Sequence, residues 1–126
     1  MLTSENVLQK IRETDHRVYY YTCPAETPDV EDTSAVVQTY RDILHHLPPN
    51  KQWVWIIDTK GFGWKHMIQF ELATSLIQLV SNEYSEQLHA IHIHNPTTFM
   101  YSMLSLLQSC MPESLRHKIN INHIEK

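Results

Sequence analysis

The residue pattern with the clearest chemical potential is a pair of histidines in the second half of the chain. His92 and His94 stand two positions apart in LHAIHIH (88–94), a segment whose composition predicts a β-strand. Side chains at i and i+2 of a strand point to the same side, so both imidazoles could bind one metal ion, with His89 or His123 as a third ligand. No Cys, Asp or Glu has ligand spacing nearby, and two ligands do not hold zinc. We therefore predict polar residues on one strand face and no metal site.

Two further residues that could do chemistry end predicted strands. No motif places a histidine beside Cys23 and no oxyanion turn follows it, which disfavours a Cys–His nucleophile. Asp58 ends a strand at the edge where α/β sheets bind ligands. A phosphoacceptor aspartate would also need a pair of acidic residues after the first strand, but that position reads Thr22-Cys23-Pro24. We therefore favour a structural role for Asp58, which is to cap the turn at 59–63. The absence of a catalytic set in the sequence predicts a binding protein rather than an enzyme.

Composition limits the class of protein. The 126 residues fit one domain, 42% of them are hydrophobic and 19% are charged, and the net charge is −4. No basic block favours nucleic acid or an anionic membrane as a partner. The chain has two glycines, Gly61 and Gly63, which are too few for a glycine-rich phosphate loop. We therefore expect neither a nucleotide enzyme nor a nucleic-acid-binding protein.

Cysteine usage and hydropathy predict the compartment. Cys23 and Cys110 form no CxxC pair and are too few for a disulfide framework, which indicates reduced thiols. The first 17 residues are polar and of mixed charge, which is not typical of a signal peptide. No apolar run approaches the ~20 residues of a membrane span. These features predict a cytoplasmic protein without a transmembrane segment.

Strand-like and helix-like segments alternate along the chain. Strands are predicted at 17–23, 52–58, 88–94 and 117–122, and helices at 4–13, from the N-cap Thr27 to Leu47, at 64–82 and at 97–111. Strands joined through helices of crossover length predict an α/β fold with a mostly parallel sheet, in which the last three strands are neighbours.

Alternation within the strands assigns their side chains to two faces of the sheet. The predicted core face carries apolar residues, namely Val18, Tyr20, Val54, Ile56, Ile91, Ile93, Ile119 and Ile121. The opposite face mixes aromatic and polar groups, namely Tyr19, Tyr21, Trp53, Trp55, Ile57, His92, His94, Asn120 and Asn122. This second set is either covered by another helical layer or forms a surface for a ligand or partner.

The helix predicted at 64–82 is unusually apolar. Its apolar residues, among them Met67, Phe70 and Ile77, fill an arc of roughly 200°, about twice the width that a surface helix needs. The helix is therefore covered on two sides or presents apolar surface to a ligand or partner.

The order of motifs along residues 17–122 resembles the CRAL-TRIO domain. The matching segments are WVWIIDTKGFGWKHM, then YSEQLHAIHIHNPTTFMYSMLSLLQSCMP, and finally HKININ. Within them, the positions that match the family's pattern are Asp58-Thr59-Lys60-Gly61, Tyr84, Asn95-Pro96 with Phe99, and Lys118-Ile119.

This resemblance implies a single, shortened CRAL-TRIO-like domain over residues 1–126. The family's preceding helical domain would be missing or reduced to residues 4–13, and its later gating helices would be absent. The resemblance implies a module that recognises a hydrophobic ligand or phospholipid, with no cofactor. The shortened form is similar to the BCH branch of the family, which implies as the alternative a protein-interaction scaffold, for example for a small GTPase or its regulator.

Exposed aromatic rings predict that a second chain covers part of the surface. Four rings of the mixed face, left in water, would each forfeit on the order of 2 kcal/mol. We therefore expect a homodimer that closes either this face or the apolar arc of the long helix. The candidate ligand-binding or interface residues are Tyr19, Tyr21, Trp53, Trp55, Met67, Phe70, Ile77, His92 and His94.

Overall fold

A five-stranded sheet with helices between its parallel strands forms the framework of the domain. The computed structural model describes residues 7–26, 33–63 and 70–122. The strands are β1 (Gln9–Glu13), β2 (Arg17–Thr22), β3 (Gln52–Asp58), β4 (Leu88–His94) and β5 (Ile119–Asn122). The α-helices of these residues are α1 (Thr33–Leu44), α2 (Phe70–Leu79), α3 (Thr98–Leu107) and α4 (Glu113–Arg116). A π-helical turn at Val80–Tyr84 extends α2, and 3-10 turns lie at Pro24–Glu26 and Gln108–Cys110.

The strands lie side by side in sequence order, from β1 at one edge to β5 at the other. β2, β3, β4 and β5 are parallel to one another, and β1 is antiparallel to β2. The predicted α/β class and the parallel neighbours 52–58, 88–94 and 117–122 are therefore confirmed.

β1 takes the place of part of the helix predicted at 4–13, so that prediction is wrong for residues 9–13. Val7 and Ile11 have helical spacing, but pairing with β2 gives β1 a backbone ladder, and Ile11 falls at its bulge, 49% exposed. Hydrogen bonds from Lys51 and Lys10 lower the pKa of Glu13 to about 2. Charged side chains on an outer strand discourage pairing with further strands.

The other predicted helices are confirmed where the structure describes them. α1 and α2 form the later parts of the two helices predicted from Thr27 and from residue 64, and Thr27 and Met67 lie outside the described residues. α3 begins after Thr97, whose Oγ1 accepts a hydrogen bond from the backbone N–H of Met100 at 3.1 Å. This side-chain cap satisfies one of the N–H groups that the first helical turn leaves unpaired.

The three crossover helices lie on one face of the sheet, called here the helix face. Parallel strands joined in sequence order by right-handed crossovers place every connecting helix on the same side. Accordingly, α1, α2 and α3 together surround the side chains that β2 and β3 direct to this side. The opposite side of the sheet is called the second face.

The structure corrects the predicted assignment of β3 to these faces. Val18 and Tyr20 are the register partners of Trp53 and Trp55, and Ile91 is the partner of Trp55 on the other side. Register partners point to the same side, so both tryptophans lie on the helix face, where they are 0% and 3% exposed. By the same register, the second face carries Tyr19, Tyr21, Val54, Ile56, His92 and His94.

Candidate functional site

A cavity of about 130 Å³ lies between the helix face and the crossover helices. Trp55 and Ile57 of β3 and Thr22 at the end of β2 form its floor, and Phe62 closes it from the turn after β3. The helices contribute its walls through Val36, Tyr40, Leu72, Ala73, Leu76, Ile77, Met100, Met103 and Leu107. The lining carries no charged side chain among the described residues, so the cavity suits a neutral, apolar guest.

Three polar side chains interrupt the apolar lining. Thr22, Tyr40 and Trp55 are only 9%, 2% and 3% exposed. Burial raises the pKa of Tyr40 to about 12, and the nearby indole of Trp55 and hydroxyl of Thr22 partly offset this effect. The rings of Tyr40 and Trp55 meet edge to face with centroids 5.7 Å apart. No acceptor in the described part of the chain meets Trp55 Nε1 in hydrogen-bond geometry.

Trp53 lies on the same face of β3 as Trp55, but its indole N–H has a hydrogen-bond acceptor. Its Nε1 donates a hydrogen bond to the backbone carbonyl of Tyr84 at 3.1 Å. Its ring lies 6.0 Å from the ring of Tyr20 and 6.0 Å from that of Trp55. Trp53 is therefore a satisfied core residue, whereas Trp55 borders the cavity.

Asp58 joins the carboxyl ends of three strands beside the cavity. Its carboxylate accepts hydrogen bonds from Tyr21 Oη at 2.9 Å, Asn95 Nδ2 at 3.0 Å and the backbone N–H of Lys60 at 3.1 Å. Burial alone would raise the pKa of Asp58, but the hydrogen bonds from Asn95, Lys60 and Tyr21 together hold it below the ordinary value. Asp58 caps the turn after β3, as the sequence predicted, and also ties β2 and β4 to it.

The turn at 59–63 is fixed in a second way, through α3. Thr59 Oγ1 lies 2.9 Å from the carbonyl oxygens of both His94 and Asn95, to which it donates its single proton. Thr97 Oγ1 donates to the carbonyl of Phe62 at 3.0 Å. These bonds hold Phe62 against the end of α3, where its ring forms part of the cavity wall.

The model of one protein family matches nearly all of this chain. It is described as the CRAL/TRIO domain, and it matches residues 7–126. The chain belongs to the CRAL/TRIO domain family. The resemblance noted in the sequence and the predicted fold class of this family are thereby confirmed.

Among solved structures, the crystal structure of Sfh5 is similar to this CRAL/TRIO domain. The two chains superpose with a TM-score of 0.75 at 16% sequence identity, over 93% of this chain and 49% of that one. The chain therefore spans about half the length of Sfh5, and the likeness shows the shared fold. Searched by sequence, the curated proteins give no significant match.

The second face of the CRAL/TRIO domain carries aromatic and basic side chains. The guanidinium of Arg12 lies 5.5 Å from the ring centre of Tyr19, within cation–π range. The rings of His92 and His94 stack with centroids 6.2 Å apart. Burial, and then the proximity of His94 and His89, lowers the pKa of His92. No group of three His, Cys, Asp or Glu residues with the geometry of a metal site occurs within the described ranges, and His123 lies outside them.

The nine residues predicted as ligand-binding or interface positions separate into distinct places. Trp55 and Ile77 meet at the cavity, while Phe70 is half-buried against the core and Trp53 is inside it. Tyr19, Tyr21, His92 and His94 lie on the second face, and Met67 lies outside the described residues. None of the described helices is long and apolar enough to cross a bilayer.

Sequence reasoning missed the polar groups of the cavity, Tyr40 and Thr22. Tyr40 stands among apolar residues with helical spacing in the helix predicted from Thr27 to Leu47, and a tyrosine among aliphatic residues was a usable signal, since a buried hydroxyl needs a partner. Thr22 gave no such signal, because its place depends on how β2 and β3 align.

Proposed function

We propose that this CRAL/TRIO domain is a non-enzymatic module that binds the apolar part of a lipid, such as an acyl chain of a phospholipid, in the cavity of the helix face. One observation carries the proposal: fifteen of the described residues, most of them from three helices and two strands, line one half-open cavity, and none of them is charged. Each CH₂ group moved from water into such a space contributes about 0.8 kcal/mol. Family membership adds support, since the sequence resemblance implies a hydrophobic ligand.

The size of the cavity limits what enters without rearrangement. A dry protein cavity of about 150 Å³ lined by Leu, Ile and Phe binds benzene. A cavity of about 130 Å³ therefore takes a segment of roughly six carbons as it stands. A longer chain requires the helices to move apart, and Met100 and Met103 on α3 suit this because methionine side chains adapt readily to new shapes.

Lipid extraction combined with native mass spectrometry tests the proposal. Protein purified from cells is expected to carry an additional mass that extraction into organic solvent releases as an acyl lipid. Ala73→Phe places a ring in the cavity and is expected to abolish the additional mass. Ala35→Phe is the matched control, because Ala35 is half-buried on α1 but does not line the cavity. Wild-type protein that carries no lipid, also after incubation with mixed phospholipid vesicles, would contradict the proposal.

The alternative function is a protein-interaction scaffold of the BCH kind, and the outer side of α3 supports it. Phe99 and Leu106 stand seven residues apart on one flank of the outer side and are 42% and 54% exposed, and Tyr101 on the opposite flank is 41% exposed. Residues 87–112 contain no Asp, Glu, Lys or Arg, so no charge interrupts this surface. Exposed apolar patches of this kind mark interaction surfaces. Leu106→Glu is expected to abolish binding to a purified small GTPase while the lipid mass is retained, and a variant that keeps GTPase binding would contradict the alternative.

A further inference from the structure

The indole N–H of Trp55 lacks a well-formed hydrogen bond. The Tyr40 hydroxyl is close enough to the indole to affect the pKa of Tyr40, but it does not meet Nε1 in hydrogen-bond geometry. The Trp55 side chain is only 3% exposed, it forms part of the cavity floor, and none of the described residues accepts a hydrogen bond from its Nε1. Buried N–H groups are nearly always paired in folded proteins, so an unpaired one at a cavity wall needs an explanation. Two positions earlier on the same strand, the indole N–H of Trp53 does have an acceptor, which is the backbone carbonyl of Tyr84.

We propose that the cavity is selective for ligands that carry a neutral carbonyl oxygen next to an apolar group, and that Trp55 Nε1–H donates the hydrogen bond that fixes this oxygen. This inference rests on the proposed function, because it assigns the chemistry by which the same cavity orients its guest. Esters, ketones and amides share this carbonyl oxygen, whether they are free small molecules or the ester groups of a lipid.

The lining decides between neutral and charged acceptors. Lys, Arg and His are all missing from the described residues that line the cavity. An ionised carboxylate in this space would lose its hydration without gaining a cation, which is far more costly than burying a carbonyl oxygen. The cavity therefore accepts an ester or ketone and rejects a free carboxylate of the same size.

Tyr40 and Thr22 provide a second donor at the same end of the cavity. The Tyr40 hydroxyl lies near both the indole of Trp55 and the hydroxyl of Thr22, and burial keeps Tyr40 protonated well above neutral pH because it raises the pKa of this hydroxyl. A carbonyl oxygen has two lone pairs and can accept one hydrogen bond from Trp55 and one from a hydroxyl. The polar groups thus define where the oxygen lies, and the apolar walls define where the hydrocarbon lies.

Indole resonances in ¹H–¹⁵N spectra provide a direct test. The chain has three tryptophans, and the variants Trp53→Phe and Trp55→Phe assign their resonances. Titration with cyclohexanone is expected to shift the Trp55 Nε1–H resonance downfield and leave that of Trp53 in place. Methylcyclohexane, which has the same number of heavy atoms, is the apolar reference, and its affinity is expected to stay unchanged when the indole donor is removed. Cyclohexanecarboxylate is expected not to bind at pH 7.

The variants separate the hydrogen bond from the cavity itself. Trp55→Phe is expected to weaken the binding of cyclohexanone about tenfold relative to that of methylcyclohexane, as the loss of one net hydrogen bond of ordinary strength implies, whereas Trp53→Phe keeps the wild-type ratio of the two affinities. Should Trp55→Phe fail to fold, Trp53→Phe and Trp64→Phe assign the Trp55 resonance by elimination, and its shift in the wild-type titration then decides the matter. A Trp55 resonance that does not move when cyclohexanone is added, or a ratio of ketone to hydrocarbon affinity that is the same in Trp55→Phe and in the wild type, would overturn the inference. Either result would leave the proposed function standing, since the lipid mass tests that separately.

Discussion

Trp53 and Trp55 lie on the same face of β3 with ring centroids 6.0 Å apart, but only Trp53 has an acceptor for its indole N–H among the described residues. The difference follows from the position of each ring along the strand. Trp53 lies beneath the π-helical turn, which exposes the carbonyl of Tyr84 to it. Trp55 lies further toward the carboxyl ends of the strands, where the helices line the cavity. One face of one strand therefore changes from core to candidate binding site within two residues.

The hydrogen bonds of Asp58 predict a stability that depends on pH. Because the folded state holds the pKa of Asp58 below its ordinary value of about 3.9, the ionised carboxylate stabilises the fold above that pH. This contribution is lost as the pH falls below about 4 toward the lower pKa of the folded state. In urea titrations, Asp58→Asn is expected to be less stable than the wild type by about 1–3 kcal/mol at pH 7.

The pH series identifies the cause. The difference in the free energy of unfolding between wild type and Asp58→Asn is expected to narrow as the pH falls from about 4 to about 2.5. The lower of these values is roughly one unit or more below the ordinary pKa of an aspartate. Asp15→Asn, at an exposed position of the turn between β1 and β2, is the control and is expected to change stability little. A difference for Asp58→Asn that stays constant over this pH range would contradict the role of the ionised carboxylate.

Any other residue in place of Gly61 is expected to destabilise the turn beside the cavity. Its φ is +75°, and a Cβ at this position would stand 3.1 Å from the Cβ of Ala25. Gly61→Ala is expected to cost about 1 kcal/mol or more, because it combines backbone strain with a close contact. Gly63→Ala is the matched control, since its nearest neighbour would be 4.0 Å away and its φ is not positive. Thermal unfolding of the two variants should separate them, and equal midpoints would contradict this account of the turn.

Ile93 tests the position of the core. It is 1% exposed on the helix face of β4, so Ile93→Ala is expected to lower the free energy of unfolding by roughly 2–5 kcal/mol through the cavity it leaves. Ile11→Ala removes the same atoms at a bulge that is 49% exposed and should cost less than about 0.5 kcal/mol. A loss below about 1 kcal/mol for Ile93→Ala in a denaturant titration would place this residue outside the core.

The sequence was most informative where segments are long and their surroundings simple. The four parallel strands and the adjacency of the last three follow from strand composition and crossover length, and the structure confirms both, while the place of β2 beside β3 was not predicted. The faces of β3 could not be predicted, because Trp53, Val54, Trp55 and Ile56 are all buried and no polar residue sets the phase of alternation. β1 was missed because an edge strand is stabilised by its neighbour β2 rather than by its own pattern.

The residues of the candidate site, too, could be predicted from the sequence only in part. Trp55 and Ile77 were identified as ligand-binding candidates from aromatic and apolar patterns, and both line the cavity. Thr22 and Phe62 could not be identified. For Phe62 the reason is that the turn that carries it is placed by the hydrogen bond from Thr97 and by the hydrogen bonds of Asp58. Contacts between residues so distant along the chain have no local signature in the sequence.

The homodimer stays a prediction, and the structure changes its basis. Trp53 and Trp55 are buried on the helix face, so the argument from four exposed rings now rests on the half-buried rings of Tyr19 and Tyr21 on the second face. We expect sedimentation equilibrium to show a dimer at about 100 μM, well above the dissociation constants of ordinary dimers. Tyr19→Glu is expected to produce a monomer, and Ser102→Glu on exposed α3 is the control. A wild-type chain that stays monomeric at this concentration would contradict the prediction.

The face on which a lipid binds is the central claim, and methyl nuclear Overhauser effects measure it most directly. With ¹³C-methyl-labelled protein and an unlabelled short-chain phospholipid, we predict contacts from the acyl protons to the methyl groups of Met103 and Ile77, which line the cavity. The methyl groups of Val54 and Ile56, which lie on the second face, should show none. Acyl contacts to Val54 and Ile56 without contacts to Met103 and Ile77 would place the lipid on the other side of the sheet and contradict the account.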